Sequence, residues 1–467
     1  MFWSTSGTCR HNATVGGSIE PIPGERIRTT SLYLPIPELT SRFVAEHPTR
    51  QPAGVGRAMR MYKLCATGAV AALLTSVNPA NANTELPAQY DARSVGMAGT
   101  GSAFIQNGSS VFLNPAGLQG IEKVSVSLSA LVLNASVKAP FLPNQSVSAS
   151  VPPAPFGYLG AGFRVHERIV LGAAVYSASG GGMSYEKVGA LGGQDIKNVQ
   201  ATFEAQPAIS VKILDNLSIG AGYRIAYMLQ QTQQPGLPNA AGLDASMDGF
   251  SFLGAQAGIL YKPIKPLALA FVYRSKMTAE TSGSATLTPP APIPALQANI
   301  KTDISTPHMF KLGTAVSLLE EKLTLSAEGR LILFADSHDT IAFTTTVPGQ
   351  PPTRTVQTLG WNNAVVGVLG GEYIIADLVP VRAGISVGTS ATPYRYTNQF
   401  GPPPGVGVSG SLGVGLKLKH WDFDLGGFYG GQSTDLANPN FPTQLSPTPG
   451  QYQFLALGIA ASAGVRF

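Results

Sequence analysis

From Val124 onward, hydrophobic and polar residues alternate with a period of two. In the first such run Val124, Val126, Leu128, Ala130 and Val132 lie on one side, with Ser125, Ser127 and Ser129 on the other. Between Leu217 and Leu229 the apolar side carries Ile219, Tyr223, Ile225 and Tyr227, opposed by Ser218, Gly220, Gly222 and Arg224. The same opposition recurs in 323–333, 406–418 and 421–429, always apolar or aromatic against small, polar or charged. A helix would repeat near 3.6, so these runs predict strands. Strands predicted at 124–139, 157–165, 168–179, 197–213, 216–232, 248–262, 266–279, 298–318, 322–338, 356–375, 379–397, 405–419, 420–431 and 451–467 number about fourteen. Most reach the ~9–11 residues that a tilted strand needs to cross hydrocarbon, whereas soluble strands run nearer five or six.

The connections separate a soluble sandwich from a membrane barrel. Short turns fall at His166-Glu167, Leu214–Asn216, Pro263–Pro266, Glu320-Glu321, Ala376–Leu378 and around His420. Between them come longer Pro-, Gly- and Asn-rich stretches, 140–156, 233–247, 280–297, 339–355 and 432–450, expected as loops. Outer-membrane barrels show this asymmetry, with short periplasmic turns and long external loops. The expected fold is therefore all-β: an antiparallel transmembrane barrel of about fourteen strands with both ends in the periplasm. Its apolar face meets outer-membrane lipid and lipopolysaccharide, and Tyr223, Tyr227, Tyr261, Tyr273, Trp361, Tyr373, Trp421, Tyr429 and Phe467 are expected in aromatic girdles. The closing Ala463–Phe467 strand resembles the signal read by the barrel-assembly machinery.

Composition agrees with this reading. Only 12% of the 467 residues are charged, against roughly 25% in an ordinary soluble domain. Hydrophobic residues make up 44%, yet no stretch supplies the ~20 consecutive apolar residues of a membrane helix. The net charge of +5 lies mostly in residues 1–82, which carry eight basic and four acidic residues. That leaves +1 over the remainder and no case for a nucleic-acid partner. Cys9 and Cys65 are the chain's two cysteines, so 83–467 needs no disulfide.

Residues 59–82 read as a signal peptide: Arg60 and Lys63, an apolar Leu64–Val77, then Ala80-Asn81-Ala82 as a small-x-small cleavage site. Residues 1–58 lack apolar periodicity. They read as a start-site overcall, with Met59 or Met61 as the start, or as a disordered extension. The domain division is thus 1–58, the signal 59–82, a hatch 83–123 and the barrel 124–467.

The hatch segment contains Ser94–Gly101, rich in glycine and alanine, and Asn114-Pro115-Ala116-Gly117-Leu118. It precedes the first strand, and a barrel of this size is too wide for its own side chains to fill. At these residues, at Leu217–Tyr223, at Tyr273-Arg274-Ser275 and at the terminal Phe467, the chain resembles the FadL-type outer-membrane transporters of long-chain fatty acids and aromatic hydrocarbons. The resemblance covers nearly all of 83–467. It implies fourteen strands, an N-terminal hatch in the lumen, uptake of hydrophobic small molecules from outside, and lateral release where the third strand kinks.

Gly180, Gly181 and Gly182 are the candidates for that kink, the alternative being a flexible external loop. Asn114, Pro115 and Ala116 are assigned to the hatch, facing the kink, or else form a plain turn. Parity puts Glu204, Lys212, Arg224, Arg274, Lys276, Lys311, Glu328, Arg330, Arg382, Lys417, Asp422 and Asp424 in the lumen. There they pair with one another and the hatch, or an arginine meets a ligand carboxylate.

Enzyme chemistry has little to stand on. Four histidines follow residue 82, without a nucleophile motif or metal-ligand spacing. No cofactor is called for. The function expected is passive uptake of small hydrophobic compounds by a monomeric channel. A porin for polar solutes and a family-related secretion or attachment scaffold are the rival readings.

Overall fold

The computed structural model describes residues 91–236, 241–290, 292–436 and 448–467. The expected extension, signal peptide and residues 83–90 of the hatch lie outside the described residues. The period-two segments all form strands of one sheet. β1 (Val124–Leu142) pairs with β3 (Ala154–His166), which pairs with β4 (Ile169–Val188). Pairing continues through β5 (Gln194–Leu214), β6 (Leu217–Gln234) and β7 (Gly242–Ile264).

The next four staves are broken into lower and upper pieces. The lower pieces are β8 (Leu267–Arg274), β11 (His308–Leu318), β12 (Leu323–Leu333) and β15 (Ala364–Ile375), paired in that order. The upper pieces are β9 (Met277–Thr288), β10 (Leu296–Thr306), β13 (Thr340–Thr346) and β14 (Thr353–Thr358), likewise paired in turn. β16 (Val379–Thr389), β17 (Val406–Lys417), β18 (Trp421–Asp435) and β19 (Gln451–Arg466) follow, and β19 pairs with β1 from Ser125↔Arg466 to Lys138↔Gln453. The result is a closed antiparallel barrel of fourteen staves. Closure pairs the ladder around the ring, which is what lets strands cross hydrocarbon.

Several expected loops hold strand instead. The stretch 280–297 is mostly the β9–β10 hairpin, 339–355 mostly the β13–β14 hairpin, and 140–156 contains β2 (Gln145–Ala149) paired back onto β1. The single strands expected at 266–279 and 298–318 are each interrupted, at Ser275-Lys276 and at Pro307, where the proline has no N–H for the ladder. The strand expected at 322–338 ends at Leu333, and the one at 356–375 is broken between Thr358 and Ala364.

Around these breaks the two faces of the wall exchange character. Near the short turns, large apolar side chains point outward: Leu128, Phe163, Val175, Phe271, Leu312 and Leu369 are all well exposed. Ser127, Glu204, Gln256, Glu328 and Arg382 point inward and are buried. Toward the long connections Asp244, Ser246 and Asp248 are exposed while Leu243, Ala245 and Met247 are buried. β9 and β10 follow suit, with Thr278, Glu280, Lys301 and Asp303 outside and Met277, Leu287, Ala298 and Ile300 inside. Trp361, expected in a girdle, belongs to this upper interior: it is buried, stacks on His338 at 4.5 Å and meets Phe334 edge-on at 5.7 Å. Tyr223, Tyr261, Tyr373, Trp421, Tyr429 and Phe467 are exposed on the outer wall.

Candidate functional site

Residues 91–121 lie inside the closed sheet. Helix α1 (Ala92–Gly96) rests on β16–β19, helix α2 (Ser110–Leu113) on β3–β5, and the 3-10 turn Pro115–Gly120 on β4–β7. A chain segment that touches opposite walls of a barrel occupies its bore. Its local structure is polar-capped: the Asp91 carboxylate accepts from the Arg93 and Ser94 amides at 3.0 and 3.3 Å and from Ser109 Oγ at 2.6 Å.

Three ionic groups fix this segment and the wall around it. In the first, Arg224 donates Nε and Nη2 to the two Glu204 oxygens at 2.8 and 2.7 Å. Arg274 reaches the same carboxylate at 3.1 Å and Gln256 Oε1 at 2.8 Å, and Tyr176 donates to Glu204 at 2.7 Å. The second joins Arg330 Nε to Glu328 at 2.8 Å, while Ser102 Oγ of the inner segment donates to Glu328 at 2.6 Å and Arg330 Nη2 donates to the Gly99 carbonyl. In the third, Arg93 grips Glu372 through two bonds of 2.9 and 2.7 Å. Arg382 bridges Glu372 at 2.6 Å and Asp424 at 2.7 Å. Arg224, Arg274, Glu328, Arg330 and Arg382 are thus all inward and buried, each with a carboxylate or guanidinium partner. Glu372 and Arg93 were not singled out from sequence. The signal for Glu372 was there, since it alternates with outward Tyr373 in β15.

Asn114-Pro115-Ala116 does not face the glycines of β4. Asn114 is fully buried and donates Nδ2 to the Ser102 carbonyl at 2.9 Å and to the Ile259 carbonyl of β7 at 3.1 Å. Ser210 and Ser218 donate to the Ala116 carbonyl at 3.2 and 3.1 Å. The approach needs glycine in the wall: a Cβ at Gly258 would lie 2.0 Å from Asn114 Oδ1, and one at Gly220 would lie 2.4 Å from the Pro115–Ala116 peptide. Among the inner residues that meet β4 is Phe112, edge-on to Tyr176 at 5.0 Å, with the Arg274 guanidinium over its ring at 4.6 Å.

Gly180, Gly181 and Gly182 lie within β4, paired with Ala201, Gln200 and Val199 of β5, so the strand does not end at 179 and no external loop begins there. The irregularity comes earlier: Ser177 pairs with Phe203 and Ser179 with Thr202, leaving Ala178 as a bulge. On the other edge β4 loses its partner at this point. Pairing with β3 stops at Tyr158↔Tyr176, although β3 runs on to Ala154 against β1, and above it only the Ser150↔Ser184 bridge rejoins β4. A seam therefore opens between Ala154–Gly157 and Ser177–Met183, with Gly157 N donating to Ser177 Oγ at 3.3 Å at its lower end.

Behind the seam Phe156, Ala178, Leu131 and Leu133 join one buried apolar cluster that also contains Val111 and Phe112 of the inner segment and Phe428 and Ala456 of the neighbouring β18 and β19, with Phe454 packed against it. Phe428, Phe454 and Ala456 in turn line an interior chamber of about 100 Å³ with Ile332, Phe334 and Val366. No charged side chain lines it. On the short-turn side lies a wider polar vestibule of about 650 Å³, bordered by Arg93, Lys262, Glu372, Arg382 and Asp424.

The family model described as "Outer membrane protein transport protein (OMPP1/FadL/TodX)" matches residues 71–402. The chain belongs to this family. As a member it is an outer-membrane transport protein of barrel form. Solved barrels of the same fold include a Pseudomonas aeruginosa FadL homologue at 18% identity and TM-score 0.66, covering 81% of this chain and 98% of that one. The Ralstonia pickettii toluene transporter TbuX gives 16% identity and TM-score 0.66, and the Pseudomonas putida toluene transporter TodX 17% and 0.66, each covering 81% of this chain and 98% of its own. No curated protein matches the chain in sequence.

Proposed function

We propose that this barrel passes small, uncharged hydrophobic compounds inward from the external medium and releases them sideways into the membrane, with residues 91–121 as the hatch that blocks the bore. The observation that carries the reading is the unbroken apolar cluster from the chamber at Phe428 and Phe454 to the seam at Phe156 and Ala178. An apolar solute on that path exchanges one greasy surface for another and never enters water. The polar vestibule beyond the hatch offers it nothing comparable.

The choice of an uncharged ligand follows from the arginines. Arg224, Arg330 and Arg382 are engaged by carboxylates and carbonyls, and none of them lines the chamber. A fatty-acid carboxylate drawn in there would be buried without a partner, which is costly. A cavity of about 100 Å³ is also small beside the ~300–1,000 Å³ of drug-sized sites, and suits a single ring or a short hydrocarbon. The filled bore argues against a general porin. Export by the 59–82 signal and insertion by the barrel-assembly machinery complete this reading, with the monomer as the working unit.

Labelled toluene and labelled oleate are the discriminating solutes for the purified protein in lipid vesicles. Toluene is expected to equilibrate and oleate to lag. Ala178→Trp fills the seam at the bulge and is expected to slow toluene by an order of magnitude or more, on the lid-limited view of such passages, while the heat-resistant folded band on gels persists. An unaltered rate in that variant overturns lateral release.

A further inference from the structure

The connection between β16 and β17, residues 390–405, is long, yet Phe400, Gly401, Pro402, Pro403 and Pro404 are all buried. Its feet stand on the rim of the chamber: Thr389 and Gly407, which flank it, both line that cavity, and Ser390 N bonds the Gly405 carbonyl at 2.8 Å. From there it crosses the mouth. β4 stands five staves away from β17 around the ring of fourteen, and Tyr185 of β4 donates its hydroxyl to the Gln399 carbonyl at 2.5 Å. Gln399 Nε2 reaches the Pro140 carbonyl of β1 at 2.9 Å. Phe400 packs edge-on against Tyr185 at 5.7 Å in a cluster with Val137, Met183, Leu436 and Tyr452.

The crossing segment is built to move as one piece. Asn398 Oδ1 accepts from the Phe400 and Gly401 amides at 2.9 and 2.8 Å, fixing the tip, and three consecutive prolines stiffen the return. Gly405, at φ +112°, supplies the sharp bend at the foot, a conformation that side-chain-bearing residues rarely adopt. Gln432, which lines the chamber, donates to the Pro403 carbonyl, and Thr434 to that of Pro404. The segment thus springs from the chamber's rim at Thr389 and Gly407 and is tied to its lining at Gln432. Its attachments are the packing of Phe400 in that cluster and a handful of hydrogen bonds to carbonyls, each of the latter worth only ~0.5–1.5 kcal/mol net.

We infer that residues 390–405 are a lid over the chamber, latched by Phe400 beside Tyr185, that must lift before a hydrophobic solute can enter from outside. The inference rests on the uptake reading above and adds its entry step. It makes Phe400 and Gln399 the control points for admission, at the upper end of the seam that governs exit, where Phe400 packs with Met183.

A reversible lock tests it, because Cys9 and Cys65 are the chain's two cysteines and both precede the described residues. In a Cys9→Ser, Cys65→Ser background, Tyr185→Cys with Phe400→Cys bridges the latch, and Pro140→Cys with Gln399→Cys bridges the second attachment. Toluene entry into vesicles is followed before oxidation, after it, and after reduction. A lid predicts loss of most of the flux on oxidation of either bridged pair and full return on reduction. The unlatched Phe400→Ala chain should pass toluene a few-fold faster, since lid opening commonly limits such passages. Oxidised, verified-bridged protein that passes toluene at the reduced rate overturns the lid while leaving uptake intact. Protein that passes none in any state, the parent chain included, overturns the uptake reading and the lid with it.

Discussion

β1 carries Leu128 and Val132 outward and Ser127 and Ser129 inward near its start, but Asn134, Ser136 and Lys138 outward and Leu131, Leu133 and Val137 inward toward its end. The lower half of the molecule is thus polar inside and greasy outside, and the upper half the reverse. The solvent explains it. The lower outer wall faces hydrocarbon, so apolar side chains go there and the polar remainder must be satisfied within. Glu204, Glu328 and Glu372 do this with five arginines and the inner segment. The upper wall stands in water and buries its apolar side chains as any soluble sheet does, around Phe343, Trp361 and Leu287. The chamber sits where the two regimes meet, which is why an apolar cavity lies directly above a polar lower bore.

The contrast can be broken hardest from inside the lower half. Glu204→Ala strands Arg224 and Arg274 without their carboxylate, and should cost ~3–5 kcal/mol in equilibrium unfolding from lipid vesicles. Replacing Glu204, Arg224 and Arg274 together by methionine should cost far less, since no charge is then left alone. A loss in the triple variant equal to that of Glu204→Ala would mean the ions themselves hold the wall together.

A single lysine placed outside reads the two regimes directly. Leu312→Lys, at a position 66% exposed on the lower wall, should cost ~2–4 kcal/mol because the charge enters hydrocarbon. Asn299→Lys, equally outward on β10, should stay within ~0.5 kcal/mol because it meets water. Equal costs would put the membrane boundary elsewhere.

A pH dependence probes the upper interior. Burial, aided by Lys276, pushes the His338 imidazole down to about 3, so it is neutral beside Trp361 in the folded protein. The unfolded chain takes up that proton below ~6.5. Stability from this group is therefore whole above that pH and drains away as pH falls toward 3. The thermal midpoint should drop between pH 7.5 and 4.5, and His338→Gln should flatten the part of the slope that His338 carries. An unchanged slope in that variant would remove His338 from the account.

Much of the barrel was legible because alternation is a local property. Leu217–Leu229 announces a strand and its outward face from its own residues, and the fourteen staves and the inward parity of Arg224 or Arg330 follow by counting. The phase reversal was also written there, in the step from Val132 to Asn134, Ser136 and Lys138, but without a wall to refer to it reads as the start of a loop. The hairpins at β9–β10 and β13–β14 were missed for the same reason.

What the sequence could not determine is which parts of different staves meet. Asn114 lies against Gly258 and not against the β4 glycines, and no residue of either segment says which of the wall's many glycines the inner segment will meet. The seam depends on β3 following β1 while β4 follows β5, a choice made by ladders between strands and invisible in either one. The lid exists because Gln399 finds Pro140, 259 positions away. Periodicity fixes where a side chain points relative to its neighbours in the chain; only closure of the ring fixes what it then faces.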